Sequence, residues 1–189
     1  MKYSIAGLLL AAGMSRRSGS TNKLLASVDG NVMVASSLRA LTASQCTPVY
    51  VVTGHQAVGV REALMEQSAL FIHNNDYAEG MASSIRVGVM ALDDNVDGVL
   101  IGLADMPHVK TETINSLVEA FSPDHDREIC VPFYEGKPGN PVLFGRRYFR
   151  DLTNLQGDRG GKSVVQNNAT QCVSLDVDDP GIHLDHDVV

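Results

Sequence analysis

The sequence predicts an α/β domain built on a largely parallel sheet, and three features of the chain point to it. Short apolar runs alternate with longer amphipathic segments, the pattern of strands joined by crossover helices. Two of those runs, residues 5–11 and 96–102, are solid enough to be central strands buried on both faces. The 189 residues, 44% of them hydrophobic, suit one compact domain with a sizeable core, and no linker, repeat or low-complexity tract divides residues 1–189.

In chain order, strands are expected at residues 5–11, 48–53, 69–73, 96–102, 128–133, 140–144 and 171–177. Helices are expected between them. Residues 31–43 and 57–67 carry the weaker helical patterns. Met81, Ile85, Gly88, Val89 and Leu92 form a stripe at helical spacing. Ile114, Leu117, Val118 and Phe121 repeat at i, i+3, i+4 and i+7, with Thr111 placed to cap and Glu112 and Glu119 turned outward. The turn formers between Glu135 and Gly139 predict a hairpin or an excursion from the main sheet. In open α/β sheets ligands bind beyond the carboxyl ends of the strands, so function is to be read from the loops there.

A net charge of −7 and an isoelectric point near 5.2 disfavour binding to nucleic acid, since the basic residues are scattered except around Arg16, Arg17 and Lys23. A small anion held by that local basic loop is compatible with the charge. Cys46, Cys130 and Cys172 are far apart and lack metal-ligand spacing, so they read as reduced core residues. The apolar run from Ile5 to Ala12 is too short to span a bilayer, and no signal peptide is legible, so a cytoplasmic location without membrane contact is expected.

The loop after the first strand reads Leu10-Ala11-Ala12-Gly13-Met14-Ser15-Arg16-Arg17-Ser18-Gly19, and Asn22-Lys23-Leu24-Leu25 follows shortly. Small residues let backbone N–H groups approach a triphosphate, and Arg16 and Lys23 add cationic donors. The GxxxxGK[ST] spacing is absent, because Ser20 follows Gly19 and the lysine arrives at position 23. By residue type alone, the stretch fits a surface loop as well as a phosphate cradle. Asp105 stands just past the fourth apolar run, in Gly102-Leu103-Ala104-Asp105-Met106-Pro107. There it either opens a turn or supplies the hard oxygen that Mg²⁺ needs. Gly80, Ser83 and Ser84 open the helix that ends near Leu92, where they either satisfy the helix end themselves or leave N–H donors for an anion.

Read together, these segments resemble the MobA-like NTP transferases. LAAGMSRRSGSTNKLL is similar to the family's signature loop, and Glu79-Gly80-Met81-Ala82-Ser83-Ser84 resembles its EGMSSS segment, with Ala82 where Ser is usual. Gly136 with Gly139-Asn140-Pro141-Val142-Leu143-Phe144 looks like GxxGNPVLF, and Gly157-Asp158-Arg159-Gly160-Gly161-Lys162 looks like GDxGAR. Asp185 and Asp187 match the first two acids of a closing DxDTPED segment, after which the chain departs from the pattern.

The resemblance implies a Rossmann-like three-layer α/β/α nucleotide-diphospho-sugar transferase fold with a mostly parallel sheet. It also implies transfer of an NMP unit to a phosphorylated acceptor, with release of pyrophosphate and Mg²⁺ as cofactor. The nucleotide would lie on Leu10, Ala11, Ala12, Gly13, Ser15, Arg16, Lys23, Gly80, Ser83 and Ser84, with Lys23, Asp105 and Arg16 catalytic. The metal would sit on Asp105, with Asp185 as second ligand, and the acceptor on Gly139, Asn140 and Asp158. Within the family molybdopterin is the commonest acceptor. Ala12 places the first loop nearer the cytidylyl-transferring branch than the guanylyl-transferring one, which typically shows LAGG. CTP is therefore the favoured nucleotide, a molybdopterin-type compound the acceptor, and a molybdoenzyme the downstream recipient. GMP transfer, CMP transfer to another phosphorylated small molecule, and a non-catalytic accessory protein that binds molybdopterin or nucleotide stay open.

The chemistry itself asks little of a general base. A phosphomonoester with a second pKa near 6 is largely ionised at neutral pH, so positioning and charge cancellation are the enzyme's main task. Two other features are set aside. The cluster of His183, Asp185, His186 and Asp187 reads as an acidic tail rather than a transition-metal site, and His55 reads as a loop residue.

Overall fold

The computed structural model describes residues 2–14 and 22–186. Ser15, Arg16 and Asp187, together with Arg17, Ser18 and Gly19, lie outside the described residues.

The chain runs through β1 (Ile5–Ala11), β2 (Ser27–Val28), β3 (Asn31–Val32), α1 (Met33–Thr42), β4 (Val49–Thr53), α2 (Ala57–Ala63) and β5 (Leu70–His73). It continues through α3 (Met81–Met90), β6 (Gly98–Leu103), α4 (Thr111–Ala120), β7 (Ile129–Tyr134), β8 (Lys137–Pro138) and β9 (Val142–Gly145). The last elements are α5 (Phe149–Thr153), α6 (Lys162–Asn167) and β10 (Cys172–Asp176). The main sheet has the order β10-β7-β9-β6-β1-β4-β5, with β8 added on β7. The pairs β6/β1, β1/β4, β4/β5 and β7/β10 are parallel, whereas β9 runs antiparallel between β6 and β7.

The two runs read as central strands are neighbours at the middle of this sheet. Every residue of β1 is buried, and its side chains alternate between two cores as the two-residue period of a strand requires. Ile5, Leu9 and Ala11 pack with α1, α2 and α4 through Val34, Leu38, Val60 and Leu117. Ala6, Leu8, Leu10 and Ala12 pack with α3, α5 and α6 through Ile85, Leu152 and Val164. Helices thus cover both faces, giving the three-layer nucleotide-diphospho-sugar transferase architecture.

The differences from the sequence reading are local. Asn31 and Val32 are not helical; they pair antiparallel with Ser27 and Val28 across a tight turn in which Asp29 and Gly30 both have positive φ, 49° and 79°. An Asp-Gly turn suits that left-handed geometry and delays the helix to Met33. Residue 111 begins α4 without capping it. The cap position is Lys110, whose N–H is taken by the Asp179 carboxylate at 2.9 Å, while the Thr111 hydroxyl donates to the Ala40 carbonyl at 3.3 Å. A tertiary carboxylate has replaced the local cap. The turn-rich stretch before β9 is a hairpin between β7 and β8, with positive φ at Glu135 and Gly136.

The three cysteines are free thiols. Burial pushes Cys46 up to about 11 and Cys130 up to about 12, which suits core residues. Among the described residues no helix is long and apolar enough to cross a membrane.

Leu100, fully buried at the centre of β6, tests how far the site depends on this core. Leu100→Ala should cost about 2–5 kcal/mol, seen as a lower denaturation midpoint with an unchanged m-value.

Candidate active site

The carboxyl ends of β1 and β6 are level with each other. Leu10 lies opposite Leu103, and the Ala104 N–H carries the pairing one step further by donating to the Leu10 carbonyl at 3.1 Å. Asp105 therefore leaves β6 beside the start of the loop that follows β1. Lys23 comes back to the same place from the far end of that loop. Asn22, fully buried, secures the return: its Oδ1 accepts the Leu24 N–H at 3.1 Å and its Nδ2 donates to the His55 carbonyl at 3.4 Å. The Lys23 Nζ then lies 2.8 Å from Asp105 Oδ2, with the two side chains only 17% and 23% exposed. A pair this shielded resists loss of either partner, because the other charge would be left poorly solvated.

This pair stands in the wall of a cavity of about 510 Å³ bordered by Ala12, Gly13 and Met14 on one side and by the segment from Tyr77 to Met81 on the other. A second cavity of about 450 Å³ adjoins it, between Gly139 and Asn140 before β9, Phe144 on β9, and Gly160 to Lys162 at the start of α6. Leu10, Met81, Leu103 and Asp158 line both. Two ligands bound side by side would thus share one wall.

Gly80 shapes that wall. It has a φ of +104°, a conformation that disfavours any side chain, and a Cβ there would fall 2.6 Å from the Gly157 carbonyl oxygen and against the Asp158 carboxylate. The Gly157 carbonyl in turn accepts the Ala82 N–H at 3.0 Å, so one donor at the start of α3 is spent within the protein. Gly139 is equally close-packed, since a Cβ would meet the Ile182 carbonyl oxygen at 2.5 Å.

Of the residues singled out from the sequence, Leu10, Ala12, Gly13, Lys23, Gly80, Ser84 and Asp105 border the first cavity. Gly139 and Asn140 border the second, and Asp158 borders both. Three of the described residues, Ala11, Ser83 and Asp185, border neither cavity. Ala11 points into the opposite core because it follows Leu10 on a strand. The Ser83 hydroxyl is buried, donating to the Gly80 carbonyl at 2.8 Å and accepting from Asn74 Nδ2 at 2.8 Å. Asp185 is exposed and borders neither cavity, yet the N–H of the next residue, His186, donates to the Asp105 carbonyl at 2.9 Å.

The sequence reading gave no role to Asn22 or Asn74. Asn74 is fully buried and ties β5 to α3 through both Ser83 and Ser84, at 2.8 and 3.0 Å. The legible signal was an asparagine placed directly at the end of an apolar run, or directly before a Lys-Leu-Leu turn.

A divalent cation fits here by the chemistry of its donors. Mg²⁺ is bound through one or two carboxylates, with substrate phosphates and water completing its shell. Asp105 offers Oδ1, which makes no hydrogen bond to the described residues, while Oδ2 is held by Lys23. Among the described residues no three His, Cys, Asp or Glu side chains converge as a metal cage.

A mostly parallel sheet with paired cavities at its carboxyl edge, headed by a lysine–carboxylate pair, makes this an α/β protein with its candidate site at the strand ends. The chain belongs to the MobA-like NTP transferase family, whose model matches residues 7–173, and is therefore a nucleotidyltransferase of that family. It is 30% identical to the molybdenum cofactor cytidylyltransferase of Escherichia coli over 92% of its own length and 90% of that protein's. It is also 30% identical to the purine catabolism protein PucB of Bacillus subtilis, over 85% and 80% of the two chains. The crystal structure of Rv0371c from Mycobacterium tuberculosis in complex with manganese is similar with a TM-score of 0.78 and 25% identity, covering 92% of this chain and 88% of that one.

Gly80→Ala should destabilise the protein by about 1–3 kcal/mol through backbone strain and displacement of the Gly157–Asp158 segment, a loss read directly from thermal or denaturant unfolding.

Proposed function

We propose that this chain transfers CMP from CTP to the terminal phosphate of a molybdopterin-type acceptor, releasing pyrophosphate, with Mg²⁺ as its cofactor. The observation that carries the reading is the Lys23–Asp105 pair at the head of two cavities that share a wall. The likeness to the E. coli molybdenum cofactor cytidylyltransferase supports the choice of nucleotide and acceptor, as does Ala12 in the first loop.

On this reading CTP occupies the first cavity, its phosphates over Ala12 and Gly13, where small residues leave the backbone accessible. Lys23 exchanges its contact with Asp105 for the phosphates, and Arg16 adds a second positive charge from the same loop. Gly80 and Ser84 close the opposite wall of that cavity. The acceptor lies against Gly139, Asn140 and Asp158. Its ionised phosphate oxygen attacks the α-phosphorus, a new P–O bond forms, and the bond from the α-phosphorus to the bridging oxygen breaks as pyrophosphate leaves. Asp105 and Asp185 would hold the metal, which supplies charge compensation between the two anions and the leaving group.

Calorimetric titration with CTP, GTP, UTP and ATP, each with and without Mg²⁺, tests the nucleotide. A Mg²⁺-dependent preference for CTP is expected; preference for GTP moves the chain to the guanylyl branch, and binding of none favours an accessory role. Pyrophosphate release with molybdopterin tests the acceptor. In that assay Asp105→Ala should lower turnover by about 10²-fold or more with the fold intact by circular dichroism, and unchanged turnover would remove Asp105 from the mechanism.

A further inference from the structure

Three segments far apart in sequence meet beside Asp105. Asp29 lies in the turn between β2 and β3, His108 in the loop after β6, and His186 in the segment after Pro180. The Nε2 atoms of His108 and His186 are 2.7 Å apart, and the rings sit 4.8 Å from each other. On its other side, His108 presents Nδ1 to Asp29 Oδ2 at 3.8 Å. The contact needs one ring to donate and the other to accept, and a proton on Nδ1 of His108, facing Asp29, would leave its Nε2 as the acceptor.

The same segment is anchored upstream. Asp179, buried at 1% exposure, accepts from the Lys110 N–H, the Thr113 hydroxyl and the Gly181 N–H at 2.9, 2.7 and 2.9 Å. The Ile182 carbonyl accepts the Asn140 N–H at 3.0 Å. Downstream come the histidine pair and the bond from the His186 N–H to the Asp105 carbonyl. Asp185 falls between these two anchorages. Ordering an exposed segment costs conformational entropy, and one partly solvated backbone hydrogen bond offsets little of it. The histidine contact supplies a second hold at His186, the residue after Asp185, whose N–H already reaches the Asp105 carbonyl.

We propose that the His108–His186 contact is a latch that holds Asp185 at the metal end of the site, with His108 acting as a positioning residue and Asp29 orienting its ring. This rests on the reading of Asp105 and Asp185 as metal ligands. His108 touches neither nucleotide nor acceptor in this role; it determines how firmly the second carboxylate is presented.

The test uses Mn²⁺ as a spectroscopic probe, titrated into the full chain alone and with CTP and followed by electron paramagnetic resonance, alongside amide hydrogen exchange. His108→Ala should speed exchange at residues 184–186 and weaken Mn²⁺ binding by about ten-fold, with metal-free CTP binding unchanged. Asp185→Asn should weaken Mn²⁺ to a similar extent, and the double variant should lose no more than the weaker single one. His108→Gln, whose amide can still bridge to His186, should restore most of the affinity. Unchanged exchange in His108→Ala would overturn the latch, as would full Mn²⁺ affinity in His108→Ala when Asp185→Asn has lost it. Full affinity in both variants would overturn any role of this segment in metal binding. None of these readouts involves an acceptor, so failure of the CMP-transfer reading appears separately, in the pyrophosphate assay.

Discussion

The parallel pairing of β1 with β6 is the constraint on which the rest of the site depends. Both strands are covered by helices on either face, and β1 is buried along its whole length. A slip of one residue would turn every side chain of β1 to the wrong core, so the register is held by packing on two sides at once. The carboxyl ends of the strands are therefore level, and the Ala104–Leu10 hydrogen bond extends the pairing to the residue before Asp105. Both the first loop and the strand-end carboxylate inherit their positions from this pair. Lys23 and Asp105 meet at 2.8 Å although 82 positions separate them in the chain.

The electrostatics of the site follow from this placement. The protein as a whole carries a charge of −7, and Glu79, Asp105 and Asp158 all border the first cavity. Among the described residues bordering that cavity, Lys23 is the cation that offsets these carboxylates. The contact of that lysine with Asp105 sets the two opposite charges side by side within a partly shielded wall. The opposite charges are thus assembled by the fold itself.

Around this centre the walls are built by close approach. Gly80 and Gly139 stand where a Cβ would strike backbone carbonyls, and each packs directly on a distant segment: residues 157–158 in one case, the segment at Ile182 in the other. Asp179 performs a related task with charge, satisfying three donors from a buried position and so fixing the final segment against α4. Close packing and buried polar bonds do not adjust gradually, and this gives the two cavities a defined common wall.

Much of this was legible in the sequence. The apolar runs marked the strands and the two at the centre, because a strand covered on both faces must be apolar along its length. The motifs marked the loops at the strand ends, since residues that approach phosphate or metal have to be small, cationic or carboxylic whatever surrounds them. Contacts between segments were not legible. The sequence could not tell that Ala11 and Ser83 turn away from the cavity while their neighbours face it, or that Asn22 and Asn74 brace the walls. Nor could it tell that the segment read as an acidic tail is tied to Asp105 through His186. Local composition marked the main strands and helices and the residue types in the loops at their ends. Only the tertiary structure decided which ends meet, because that depends on packing and hydrogen bonds between residues far apart in the chain.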